Sequence, residues 1–146
     1  MDRAKEELVL NFQVQGRDFQ GAGVAASQIR RVLKQVGFDP QVVRRAGIAA
    51  YEAEMNIVIH AYRGTLSARI TAQEIEIVAE DEGPGIADIE LAMQEGYSTA
   101  PPEVREMGFG AGMGLPNIKR CADGLEIASE VGRGTTLRAR IVIKGT

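Results

Sequence analysis

Leu8, Leu10, Phe12 and Val14 alternate with Val9, Asn11 and Gln13, the period-two pattern of a strand. Beyond Phe19 the period lengthens. Val24, Ala25, Ile29, Val32, Leu33 and Val36 recur at helical intervals, which predicts a helix over Phe19–Val36 that Gly37 stops. Asp39-Pro40 supplies an N-cap followed by proline at the first helical position, so a longer helix is predicted from Pro40 to about Tyr62, ending at Gly64. Leu66–Ala72 and Glu74–Glu80 read as two strands joined by a tight turn, with Ile75, Ile77 and Ala79 alternating against Glu74, Glu76, Val78 and Glu80. Asp88–Gln94 predicts a short helix, and Leu115–Ala122 another, closed by Gly124. Leu125–Glu130 and Thr136–Ile143 are the last predicted strands, divided by Gly132-Arg133-Gly134-Thr135.

The predicted order is β-α-α-β-β-α-loop-α-β-β. Strands arrive in adjacent pairs instead of alternating strictly with helices. The fold class expected is therefore α+β, a two-layer α/β sandwich whose mostly antiparallel mixed sheet carries helices on one face. The stretch from Tyr97 to Gly114 is long for a compact domain, and such stretches are usually lids or binding loops.

Composition narrows the function classes. A chain of 146 residues is one ordinary domain, and its 17 basic against 20 acidic residues give a net charge of −3, the wrong lean for a basic nucleic-acid module. With one cysteine, Cys121, and one histidine, His60, neither an internal disulfide nor a zinc site is expected. No apolar run approaches the roughly 18 residues of a membrane span, and the N-terminus lacks a signal-peptide core, so a cytoplasmic protein is expected. Of the 17 glycines, ten fall between Gly83 and Gly134. Glycine gathers where backbone takes positive φ or approaches a ligand closely, which directs attention to the second half.

Four features there and on the long helix carry candidate chemistry. Glu52, Asn56 and His60 stand four residues apart on one helix face. That is either a wetted stripe or a polar seam in which a carboxylate acts as a general base and an amide oxygen meets a hard cation. Asp81-Glu82-Gly83-Pro84-Gly85 is either an ordinary turn or an acceptor carboxylate with glycines that admit a base. Gly108-Phe109-Gly110-Ala111-Gly112-Met113-Gly114-Leu115 directly precedes a helix, where freed N–H groups and the dipole can cradle phosphates. It lacks the Gly-Lys-Ser/Thr of a P-loop. Gly132-Arg133-Gly134-Thr135-Thr136 is either a hairpin turn or a place where a threonine hydroxyl supports a base.

In this order the four resemble the boxes of the ATPase superfamily of gyrase, heat-shock-90 chaperones, histidine kinases and mismatch-repair proteins. Glu52-x-x-x-Asn56 matches its N-box, Asp81, Gly83 and Gly85 its Asp-x-Gly-x-Gly box, Gly110, Gly112 and Gly114 its lid glycines, and Gly134-Thr135 its last box. Length and wording are similar to the small bacterial serine/threonine kinases of the anti-sigma-factor type. Asp88 to Thr99 is similar to the switch kinases within that group, and Gly110 stands where direct sigma binders often carry arginine.

The resemblance implies a histidine-kinase-like ATPase fold and a single ATP-binding kinase domain over residues 1–146, with a nucleotide lid at about 97–114. It implies that Glu52 accepts the proton of an incoming serine or threonine hydroxyl and that Asn56 holds Mg²⁺. Asp81 would accept from adenine N6, with Gly83 and Gly85 giving close approach and Thr135 supporting the base. Gly110, Gly112, Gly114 and Leu115 would wrap the phosphates of ATP. The implied substrate is a STAS-domain protein, with direct binding of a sigma factor, or a nucleotide-gated module without kinase activity, as the alternatives. No nucleic acid or membrane partner is implied, and a homodimer is compatible. Lys119 and Arg105 read as solvated charges, with positive charge near the γ-phosphate as the alternative, His60 as structural or as a support behind the site, and Cys121 as a small buried hydrophobe.

Overall fold

In five segments every second residue is apolar, and these segments form one sheet with an apolar and a polar face. The computed structural model describes residues 6–95, 102 and 114–144. Its strands are β1 (Leu8–Gln15), β2 (Arg63–Ile70), β3 (Glu74–Glu82), β4 (Gly124–Glu130) and β5 (Gly134–Val142). Its helices are α1 (Val24–Val36), α2 (Pro40–His60), α3 (Ile89–Ala92) and α4 (Gly114–Cys121). The sheet order is β1-β2-β3-β5-β4, and every pairing is antiparallel, so the expected mixed sheet is a wholly antiparallel one among the described residues. Two hairpins, β2–β3 and β4–β5, close locally, while β1–β2, on either side of α1 and α2, and β3–β5 are long-range pairings.

Leu66, Ala68, Ile70, Ile75, Ile77, Ala79, Leu137, Ala139 and Ile141 line the inner face and are buried under α1, α2 and α4. The outer face carries two diagonal cross-strand ion pairs, Arg138 with Glu76 at 3.9 Å and Arg140 with Glu74 at 3.8 Å. At these distances the pairs add little energy but keep that face polar, with Glu76 itself buried beneath the arginines. The helix α2 is central, packing on α1, α4 and four strands. Ala46, Gly47, Ala49, Ala50 and Ala53 are all buried, which lets neighbouring helices approach closely and explains why its apolar spacing does not resolve into one stripe. Asp39 caps its start by accepting from the Gln41 N–H at 2.8 Å, with Pro40 behind it.

The helix α1 begins at Val24, five residues later than its predicted start at Phe19. The reason lies on α2. Glu54, only 2% exposed, inserts its carboxylate at the start of α1 and accepts from the N–H groups of Gly23 at 2.9 Å and Ala26 at 2.8 Å, with Ala25 at 3.4 Å. A remote side chain thus does the capping that no residue preceding α1 performs. At the other end Gly37, at φ 100°, donates to the Leu33 and Lys34 carbonyls, the left-handed stop expected of it. The strand β2 starts at Arg63 and takes in Gly64, which had been expected to lie between helix and strand, because Arg63 and Gly64 pair with both Gln15–Val14 and Glu82–Asp81.

Candidate functional site

β3 runs on to Glu82, two residues past its predicted end, and this delivers Asp81 to the sheet margin beside the β4–β5 hairpin. The Thr135 N–H donates to Asp81 Oδ1 at 3.1 Å. Gly83 N–H donates to the Arg133 carbonyl at 3.0 Å and Gly132 N–H to the Pro84 carbonyl at 2.9 Å, so the loop after β3 is stitched to the hairpin on both sides. Close approach sets the glycines. A Cβ on Gly134 would lie 2.0 Å from the Asp81 carbonyl oxygen, and one on Gly85, at φ 77°, would lie 2.5 Å from the Glu130 carbonyl oxygen. Asp81 Oδ2 has no hydrogen-bond partner among the described residues and remains an acceptor. Burial pushes the Asp81 carboxyl above the usual aspartate range, and the Thr135 N–H opposes that shift.

Thr135 is 6% exposed, and its hydroxyl lies 2.9 Å from that of Ser129. Ser129 Oγ gives its proton to the Gly134 carbonyl at 3.1 Å and accepts from the Ile86 N–H at 2.7 Å. The Thr135 hydroxyl is therefore the donor toward Ser129, which completes Ser129's one donor and two acceptor positions. The acceptor positions of the Thr135 hydroxyl are left for a base or a bridging water. The backbone N–H of Thr135 acts on Asp81, and its hydroxyl braces the hairpin.

Glu52, Asn56 and His60 lie on one face of α2, all half-buried. Glu52 Oε2 accepts from Asn117 Nδ2 at 2.9 Å. The Asn56 side chain is uncommitted among the described residues, and its amide oxygen suits a hard cation. Among those residues no group of three or more His, Cys, Asp or Glu side chains could hold a metal ion, so a cation beside Asn56 would take its other ligands from phosphate and water. His60 is held below the usual imidazole range by burial and by the Arg17 cation. The Tyr62 N–H donates to the Glu82 carbonyl at 2.8 Å, which joins the end of α2 to the Asp81 loop.

The other half of α2 meets α4. A Cβ on Gly114 would stand 3.9 Å from Glu52 Oε2, so the first turn of α4 abuts this carboxylate. Leu115 is buried in the core, so only its backbone can face a ligand. Gly110, Gly112, Arg105 and most of the expected lid at 97–114 lie outside the described residues. Lys119 is exposed, as expected of a solvated charge. Between α1, α2 and α4 opens a groove of about 1000 Å³, whose walls include Arg30, Arg44, Tyr51, Glu52, Asn117 and Arg120. Cys121 also lines it. Expected to be buried, it is half-buried, because α4 ends there over the open groove; burial of the thiol still pushes its pKa up.

Glu54, Asn117 and Ser129 escape a reading of the sequence. Glu54 had one signal, a lone charge inside the apolar run Ala53-Glu54-Met55. Asn117 had a weaker one, an amide three residues before Arg120 on a helix that follows glycines. Ser129 had none beyond its inward place in an alternating strand.

Comparison with known proteins bears on these boxes together. Residues 20–141 match the family described as the histidine kinase-like ATPase domain. The chain is 36% identical over 121 residues to the serine/threonine-protein kinase RsbT of Bacillus subtilis, covering 80% of this chain and 85% of that one. It is 39% identical over 107 residues to an anti-sigma F factor from a Thermoanaerobacter species, covering 68% of this chain and 71% of that one. Among solved structures, a chain of the SiaB-SiaC complex from Pseudomonas aeruginosa superposes with a TM-score of 0.57 over 92% of this chain and 89% of that one. At 14% identity it speaks to the fold alone. Among the described residues no helix is long and apolar enough to cross a membrane.

Proposed function

The chain belongs to the histidine kinase-like ATPase domain family, and from that premise we propose that it is an ATP-dependent protein serine/threonine kinase whose substrate is a STAS-domain protein of a partner-switching pathway in the cytoplasm. The whole chain is taken as one kinase domain. The observation that carries this reading is Glu52. It is half-buried on the wall of an open groove, one helical turn from Asn56, with one carboxylate oxygen held by Asn117. A module that only binds nucleotide has no need of a positioned carboxylate there.

Each residue then has a part in phosphoryl transfer. Asp81 Oδ2 accepts from adenine N6 while Oδ1 stays on the Thr135 N–H. Guanine presents an acceptor at the equivalent position and is disfavoured. Backbone N–H groups at Gly114 and the first turn of α4 are placed to meet the phosphates. Asn56 would hold Mg²⁺, which neutralises charge developing on the β- and γ-phosphates. Glu52 takes the proton of the attacking hydroxyl as its oxygen bonds to the γ-phosphorus. The bond from that phosphorus to the bridging oxygen breaks, and ADP leaves with the electron pair. The relative named RsbT supports the activity, and the relatives named anti-sigma F factor support a sigma factor as the protein regulated downstream.

The test is transfer of phosphate from γ-labelled ATP to purified STAS-domain proteins. Label on a serine or threonine of one of them, lost in Glu52→Gln, is the expected result. ATP binding with no transfer to any of them by the wild-type chain would count against a STAS substrate.

A further inference from the structure

The geometry points to Asn117 as a positioning residue for Glu52, held in turn by Arg120 and Glu95. The proposal rests on Glu52 being the base, and it concerns residues that lie outside all four sequence boxes.

The chain of contacts has a defined direction. Arg120 Nη1 donates to Asn117 Oδ1 at 2.9 Å, and a guanidinium can only donate. The Asn117 oxygen is thereby assigned to Arg120, and its amide nitrogen must face Glu52, where it donates to Oε2 at 2.9 Å. The second guanidinium nitrogen of Arg120 is ion-paired with Glu95. Every polar atom of the Asn117 side chain that meets Glu52 or Arg120 is therefore matched, and the amide cannot flip without setting donor against donor on one side and acceptor against acceptor on the other.

The backbone beneath is also fixed. Arg45 on α2 donates through Nε to the Cys121 carbonyl at 2.8 Å and pairs with Asp123 at 3.1 Å. The C-terminal end of α4 is thus clamped to α2, and Ile118 is fully buried between them and the sheet. Asn117 is presented to Glu52 from a helix whose C-terminal end is fixed on α2. A carboxylate free to rotate spends little time with an oxygen aimed at a hydroxyl. With Oε2 tied to Asn117, Oε1 is the one left to receive the proton, in a defined direction. Orientation of this kind is a recognised source of rate.

The experiment compares Asn117→Ala, Asn117→Asp and Glu52→Gln with the wild-type chain. Steady-state transfer from γ-labelled ATP to a STAS-domain acceptor protein is measured across pH, together with Mg·ATP affinity and thermal unfolding. Asn117→Ala is expected to lower kcat about 10-fold, less than the roughly 10²–10⁴-fold worth of the general base it positions, while KM for ATP stays within about twofold. Asn117→Asp keeps the size but sets a second carboxylate against Glu52, and the two must share a proton. Its activity should therefore fall off at higher pH on the acid side than that of the wild type, a change that mere loss of packing does not produce. Wild-type kcat and pH profile in both Asn117 variants, beside an inactive Glu52→Gln, would overturn the positioning role and leave the base standing. A higher KM for ATP with unchanged kcat would place Asn117 on the nucleotide and also overturn it. Full activity in Glu52→Gln would remove the base itself.

Discussion

Replacing Glu54 by glutamine should destabilise the domain more than any surface change of the same size. The wild-type carboxylate accepts from Gly23 and Ala26 through two different oxygens, at 2.9 and 2.8 Å, in a site 2% exposed. Glutamine offers one oxygen. Whichever N–H loses it faces an amide NH₂ in a place water does not reach, at about 1–3 kcal/mol for a buried unsatisfied donor. The negative charge at the start of α1 is lost as well, worth up to about 2 kcal/mol in a partly buried setting. Burying the carboxylate has its own desolvation cost, which the native N–H bonds offset and which glutamine escapes, so a net loss of about 3 kcal/mol is reasonable. For a domain of this size that lowers Tm by roughly 6–12 °C. Thermal unfolding followed by circular dichroism reads it directly, and amide exchange at Ala26 should quicken with it. A Tm within about 2 °C of wild type would refute the capping role, and with it the explanation for the late start of α1.

Asp81→Asn should weaken ATP binding by about 10–100-fold in calorimetry, because one oxygen cannot serve both the Thr135 N–H and adenine N6. Equal wild-type affinity for ATP and GTP would remove Asp81 from that role. His60 gives a pH dependence. Its pKa is lowered in the folded state from the usual 6.5, so below about that pH the unfolded chain binds the extra proton and stability falls as pH drops. Urea unfolding at a series of pH values should show that slope, and His60→Gln should flatten it; an unchanged slope in the variant would assign it to other groups.

The elements themselves were largely legible, because period-two and helical spacing separate cleanly in this chain. Ile75, Ile77 and Ala79 alternate without interruption, and β3 lies where they place it. The boundaries that moved did so for reasons the local sequence does not contain. Glu54 is thirty-one residues from Gly23, and its cap decides where α1 begins. Gly64 entered β2 because strands on both sides pair with it. The site was legible where chemistry is local, as in the single face shared by Glu52, Asn56 and His60. It was not legible where side chains meet across the fold. Asn117 reaches Glu52 over sixty-five positions, and Ser129 joins Ile86 over forty-three. No spacing rule encodes such pairs.

Phosphate transfer by Glu52→Gln tests the central claim most directly. The substitution keeps the shape of the side chain and an oxygen that can still meet Asn117, so Mg·ATP should bind with near wild-type affinity. Transfer of γ-labelled phosphate to the STAS-domain acceptor should fall by about 10²–10⁴-fold, the usual worth of a general base. Transfer at the wild-type rate, or a loss of ATP binding as large as the loss of transfer, would contradict the assignment of Glu52 as the base of a protein kinase.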